Sequence, residues 1–157
     1  MRKSALILAV PLLCAACALD RAPETWLEHA RQLSDAAEEA QKRGDRAAAR
    51  EALLSMLEAP PPSRLNADDA RSIRQDVCFR LALVELEDGK PAAALTFAER
   101  GLSLGKREDV FCANLHIARG RALEALGRDA EAAKVYHEAL KINERLLEQA
   151  LSTQGDR

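Results

Sequence analysis

Three glycines in this chain carry the same downstream signature: alanine at +3, alanine at +5 and leucine at +13. The sets are Gly44/Ala47/Ala49/Leu57, Gly89/Ala92/Ala94/Leu102 and Gly127/Ala130/Ala132/Leu140. A small residue (Ala37, Ala82 or Gly120) also stands seven positions before each glycine. Glycine tolerates the left-handed conformation in which helices commonly end, and small residues around it let the incoming and outgoing helices cross closely. The signature therefore describes one helical hairpin used three times, and repeated hairpins stack into a solenoid. Six helices and an all-α fold are expected.

Periodicity and punctuation place those helices. From Glu24 to Arg43, Trp26, Ala30, Leu33, Ala37 and Ala40 follow 3.6-residue spacing with charge on the other faces. Gly44 turns the chain into a returning helix over 45–58. Pro60, Pro61 and Pro62 stop it, since proline can neither continue the ladder nor leave its predecessor helical. After a linker to about Asn66, the third helix runs from about Ala67 to Asp88. Lys90 then takes a cap position and Pro91 the first helical position, where its missing N–H costs nothing. That fourth helix reaches about Leu104, the fifth spans about Glu108 to Gly127, and the sixth runs from near Asp129 to about Leu151. Aromatic residues make up only 3% of the chain, so alanine and leucine must provide the packing. The helical domain is expected over 24–152, with a disordered tail over 153–157.

The amino terminus reads as an address. Arg2 and Lys3 precede residues 5–16, which are wholly apolar or small. That run is shorter than the roughly 20 residues of a membrane-spanning helix and has the dimensions of a secretory signal peptide. It ends Leu13-Cys14-Ala15-Ala16-Cys17, which resembles the lipobox of bacterial lipoproteins, where small residues precede a cysteine that is lipidated before cleavage. The resemblance makes 1–16 the signal peptide, Cys17 the lipidation site and 17–23 a tether. Cys14 departs from the family, which usually has leucine there; plain cleavage after Ala16 is the alternative. The family's acyl chains, palmitate among them, would anchor the protein stably, at about 0.8 kcal/mol per buried CH₂. Ala18 stands where an aspartate signals retention at the inner membrane, so the resemblance implies an outer-membrane lipoprotein facing the periplasm.

On that reading Lys+Arg falls from 23 to 21 against 25 Asp+Glu, moving the formal charge from −2 to −4. The charges are interspersed without a basic stripe, which argues against nucleic acid as a partner. The domain keeps two cysteines, Cys78 and Cys112. In an oxidising compartment they are a disulfide candidate; two buried thiols, or metal ligation with His116 at i, i+4 from Cys112, are the alternatives.

The hairpin pattern resembles the tetratricopeptide repeat. The third unit, 113–146, carries it best through Gly120, Gly127, Ala132, Tyr136 and Ala139. The second, about 75–108, keeps Leu81, Ala82, Gly89 and Ala94 but has Cys78 where tryptophan is common and Gly101 at the late alanine. The first, about 30–63, holds Ala37, Gly44 and Ala49. The resemblance implies a right-handed solenoid of three such hairpins, with partner contacts on the first helix of each. The positions implied are Arg31, Ser34, Glu38 and Gln41; Asp76, Phe79, Leu83 and Leu86; Asn114, Ile117, Arg121 and Glu124. The partner-binding set singled out is Arg31, Glu38, Phe79, Leu83, Leu86, Asn114, Ile117 and Arg121.

Helix three has one apolar stripe in Val77, Leu81 and Val84 and a second in Phe79, Leu83 and Leu86. The second is either a groove for a partner's helix or extended segment, flanked by Arg31 and Arg121, or is covered by helix six or the linker. Trp26 is expected to cap the first helix pair. The terminal helix shows a stripe in Ile142, Leu146, Leu147 and Leu151 that needs covering. Phosphate-loop, nucleophile-elbow and metal-helix signatures are absent from the sequence, and no cofactor or metal is called for. The expectation is a non-enzymatic, lipid-anchored periplasmic scaffold that binds an envelope protein. A carrier of a small apolar ligand, or a structural homo-oligomer formed through the C-terminal helix, are the alternatives.

Overall fold

The computed structural model describes residues 22–105 and 107–155. Its elements are α1 (Pro23–Lys42), α2 (Arg46–Glu58), α3 (Ala67–Glu87), α4 (Pro91–Ser103), α5 (Val110–Ala125) and α6 (Asp129–Gly155). No strand occurs among the described residues, and no helix there is long and apolar enough to cross a membrane. The signal region, Cys14, Cys17 and the tether as far as residue 21 lie outside the described residues.

The three signature glycines make the same turn. Gly44, Gly89 and Gly127 have φ of 72°, 70° and 71°. In each, the glycine N–H donates to the carbonyl three residues back and the next N–H to the carbonyl five residues before it. The pairs are Gly44 to Gln41 and Asp45 to Ala40, Gly89 to Leu86 and Lys90 to Glu85, and Gly127 to Glu124 and Arg128 to Leu123, all at 2.8–3.0 Å. This is the Schellman arrangement, which satisfies helix-end carbonyls that would otherwise be orphaned. A side chain at these positions would add the steric strain of left-handed backbone, about 1–2 kcal/mol. The next helix starts on a side-chain cap where one is present: Asp45 accepts from Ala48 N–H, Asn66 from Asp68 N–H and Asp109 from Cys112 N–H.

Each hairpin packs on the next. α3 lies against α2 and α4, while α5 lies against α3, α4 and α6. The largest core cluster joins Trp26, Leu53, Leu57, Val77, Leu81, Val84 and Leu115, all at most 1% exposed, across four helices. Burying a leucine of this kind contributes roughly 1.5–3 kcal/mol. The alanine at +5 is buried in every unit (Ala49, Ala94 and Ala132), and the alanine at +3 is exposed in every unit. The leucine at +13 grades along the stack: Leu57 is fully buried, Leu102 half-buried and Leu140 54% exposed. A following hairpin covers the first two; among the described residues none covers the third.

The two joints between hairpins differ. At the first, no Cα of α1 comes within 8 Å of a Cα of α3. Across it run ion pairs from Arg50 to buried Glu85 at 2.5 Å and from Arg46 to Asp88 at 2.6 Å. Arg46 and Lys90 together hold the Asp88 carboxyl below its usual range. At the second joint α5 lies directly on α3. A Cβ added at Gly101 in α4 would stand 2.5 Å from a Leu115 methyl and 2.9 Å from Cys78 Cβ, so only glycine permits this approach. The departure of Gly101 from the family's alanine thus has a packing cause. Buried Gln75 donates to the carbonyls of Gly101 and Gly105, both at 3.2 Å, and accepts from Arg71, which also reaches Asp109 at 3.1 Å. In the last hairpin the Tyr136 ring covers Gly120, leaving no room for a side chain there.

Three expectations change. α6 continues through Gly155, past Leu151 and through residues assigned to a disordered tail. Pro23 is the first residue of α1 rather than part of a tether. α6 starts at Asp129, where the sequence places it, and the guanidinium of Arg128 just before it holds the Glu131 carboxylate through two 2.7 Å bonds. Ile142 is buried with Cys112 and Ala113, so the outward stripe of α6 is Leu140, Leu147 and Leu151 instead.

Candidate functional site

The stand-off between α1 and α3 leaves a cleft of about 550 Å³. Leu27 of α1, Met56 of α2, Leu65 of the linker, Ile73 of α3 and Phe111 of α5 form its apolar wall. Asp69, Ser72 and Asp76, on one side of α3, are its polar members. The spacing 69, 72, 73, 76 keeps these side chains on one helical face. The proline-rich linker creates the opening, because it carries the chain around before α3 starts and brings Leu65 into the wall.

Asp76 is the electrostatic centre of this cleft. Its carboxylate takes no hydrogen bond or ion pair among the described residues. Burial pushes its pKa up; Arg80 opposes the shift and nearby Glu38 adds to it. Arg80, one turn further along α3, is turned to α1, where it donates to Ser34 Oγ at 2.7 Å and to the Ser34 carbonyl at 3.4 Å. An acid with its nearest cation engaged elsewhere, set beside Leu27, Ile73 and Phe111, is matched to an apolar group carrying a positive charge or an N–H donor.

The residues expected to bind a partner fall in two places. Phe79 is half-buried and packs against both the main cluster and the small alanine cluster of Ala82, Ala94, Ala98, Ala118 and Ala122. It fills a seam, and what covers it is core packing: α6 has no Cα within 8 Å of any Cα of α1 to α4. Leu86 and Arg121 meet Glu87, Glu124 and Ala125 in a second depression of about 380 Å³ at the other end of α3 and α5. There Glu124 accepts from the Tyr136 hydroxyl at 2.9 Å. Leu83, Asn114 and Ile117 are half-buried, and Arg31 and Glu38 are exposed on α1. Leu27, Leu65, Ile73 and Phe111 were not singled out from sequence. Phe111 lies in the first turn of α5 and Leu65 in the linker, where neither helical periodicity nor family positions direct attention.

Cys78 and Cys112, the disulfide candidate, are both buried and free in the structure. They belong to different clusters, Cys78 to the main one and Cys112 to that of Ala113 and Ile142. Burial pushes the Cys78 thiol up to about 11 and raises that of Cys112 as well. His116 is held below its usual range, first by burial and then by Arg119, with Glu138 opposing. No group of three His, Cys, Asp or Glu side chains among the described residues is placed to hold a metal ion. Trp26, 1% exposed, is part of the main core.

The tetratricopeptide repeat family model matches residues 113–146, which are α5 from its second turn, the Gly127 turn and most of α6. No curated protein and no solved structure matches the chain. With six helices in three hairpins and that match, the chain is a tetratricopeptide-like helical repeat, a class whose general task is protein–protein interaction.

Proposed function

We propose that this protein is a lipid-anchored periplasmic adaptor that holds a segment of an envelope protein against α1, α3 and α5. The cleft carries the reading. It is lined by the first helix of every hairpin, it is apolar enough to take one anchoring side chain, and Asp76 in its wall lacks a partner. A segment that seats an aliphatic or aromatic side chain between Leu27 and Phe111 and places a lysine, arginine or N–H group near Asp76 satisfies both features. The lipobox-like run ending at Cys17 supports attachment to the outer membrane, which would fix the cleft a short distance from that surface.

The test has two parts. Metabolic labelling with an alkyne fatty acid is expected to mark the wild-type chain and to fail with Cys17→Ser; labelling that survives the substitution ends the lipoprotein reading. A photoreactive residue placed at Phe111 in intact cells is expected to trap one envelope protein, with capture falling at least tenfold in Asp76→Lys at unchanged protein level. Equal capture at exposed Ala47 on α2 would show the cleft to be no docking site.

A further inference from the structure

Independently of the cleft, the outward face of α6 carries a pattern of its own. Leu140, Leu147 and Leu151 are 54%, 61% and 60% exposed, and their spacing of seven and four keeps them on one line along the helix. Leu140 is the third copy of the +13 leucine, which in the first two units is covered by the next hairpin. From Leu147 onward every described side chain is exposed, so the last turns of α6 project beyond α5 with none of the other described residues covering them. A projecting helix of this length is marginal in water, where helices under about 12–15 residues need tertiary support.

We propose that a second copy of this chain covers the stripe, with the two α6 helices antiparallel about a two-fold axis lying between Arg145 and Leu146. A two-fold pair presents the same patch on both subunits. In this register Leu140 meets Leu151 of the partner subunit at both ends, and Leu147 meets Glu144 of the partner subunit in the middle. Lys141 then flanks Glu148 of the partner subunit, and by symmetry the same pair forms twice. Among the described residues Glu148 makes no ion pair, and Lys141 has only a 3.4 Å surface contact to Glu138. A parallel in-register pairing would set the Glu144 carboxylate against its own copy in the seam. Glu144 is the polar member that fixes the register and weakens the pair, as single polar core positions do in coiled coils.

Sedimentation equilibrium of the full chain in density-matched detergent tests this. The wild type is expected to be a monomer–dimer system, and Leu147→Glu to be monomeric at the same helical content. Glu148→Lys is expected to weaken the dimer about three- to tenfold, and Lys141→Glu with Glu148→Lys to restore it, as two exposed ion pairs allow. Glu144→Leu is expected to tighten it. A wild type that stays monomeric at high concentration overturns the proposal. An open series of larger species, as head-to-tail stacking would give, or a dimer indifferent to Leu147→Glu, does the same.

Discussion

The two joints of this solenoid are built from the same hairpin and end in opposite results. At the second, α5 sits on α3, Gly101 lets α4 close onto Leu115 and Cys78, and Gln75 ties in the linker. The space left there, a depression of about 380 Å³ at the far end of α3 and α5, is smaller than the cleft at the first joint. At the first, the linker with Pro60, Pro61 and Pro62 holds α1 away from α3, the edge is closed by ion pairs, and the cleft opens. Closeness at one joint supplies stability, and distance at the other supplies a surface. Identical turns do not make identical interfaces; the residues between hairpins decide.

The sharpest way to break the contrast is to open the tight joint. Gly101→Val places two methyl groups where Leu115 and Cys78 already stand, and overpacking of that kind costs about 3 kcal/mol. Urea unfolding should show it as a lowered midpoint with an unchanged slope; a loss under 1 kcal/mol would mean the helices slide apart freely. Next in size is the loose joint. Arg50→Ala leaves Glu85, whose side chain is 2% exposed, without its ion-pair partner. The expected loss is about 1–2 kcal/mol, less than for a sealed pair because the Arg50 side chain is itself 41% exposed. A loss equal to that of Gly101→Val would erase the distinction between the joints.

A smaller effect has the opposite sign. The folded protein holds the Asp76 proton more tightly than the unfolded chain, so the ionised carboxylate destabilises the fold at neutral pH. That penalty fades as pH falls through the raised value and is absent below the ordinary 3.8. Asp76→Asn is therefore expected to raise Tm at pH 7 by on the order of 2 °C, with the gain vanishing in acid, while capture of the partner falls. A lowered Tm at pH 7 would show that Asp76 already has a stabilising partner. Smallest is a chemical readout: Cys78 should resist alkylation at pH 8 in the folded protein and react after unfolding, since burial keeps its thiol neutral. A Cys78 that reacts in neither state until a reductant is added would mean a bonded pair with Cys112.

Much of the fold was legible because glycine and proline act locally. The turns at Gly44, Gly89 and Gly127 and the stop at Pro60 depend on backbone sterics that a short window of sequence contains. The outward face of α6 was partly misread. Ile142 and Leu147 are both apolar and five residues apart, and only the placement of α5 determines that the first is buried under Cys112 while the second faces outward. Phe79, read from sequence as a groove lining, is half-buried and packs against the cluster of Ala82, Ala94 and Ala118, small residues that let neighbouring helices reach it. Of the cleft only Asp76 was legible, as a position the family resemblance implies. Its walls come from four helices and a linker, and its size depends on how far the linker displaces one hairpin, which is a length measured in space rather than along the chain.

The ion pairs at the first joint have a consequence for how the molecule breathes. Arg46–Asp88 and Arg50–Glu85 are held partly in water, and salt weakens such pairs. Added salt is therefore expected to loosen that edge first, while the core that Trp26, Leu53 and Leu57 share with Val77, Leu81 and Leu115 still ties the hairpin to α3 and α5. Amide exchange in α1 and α2 should quicken with added salt while exchange in α5 stays slow.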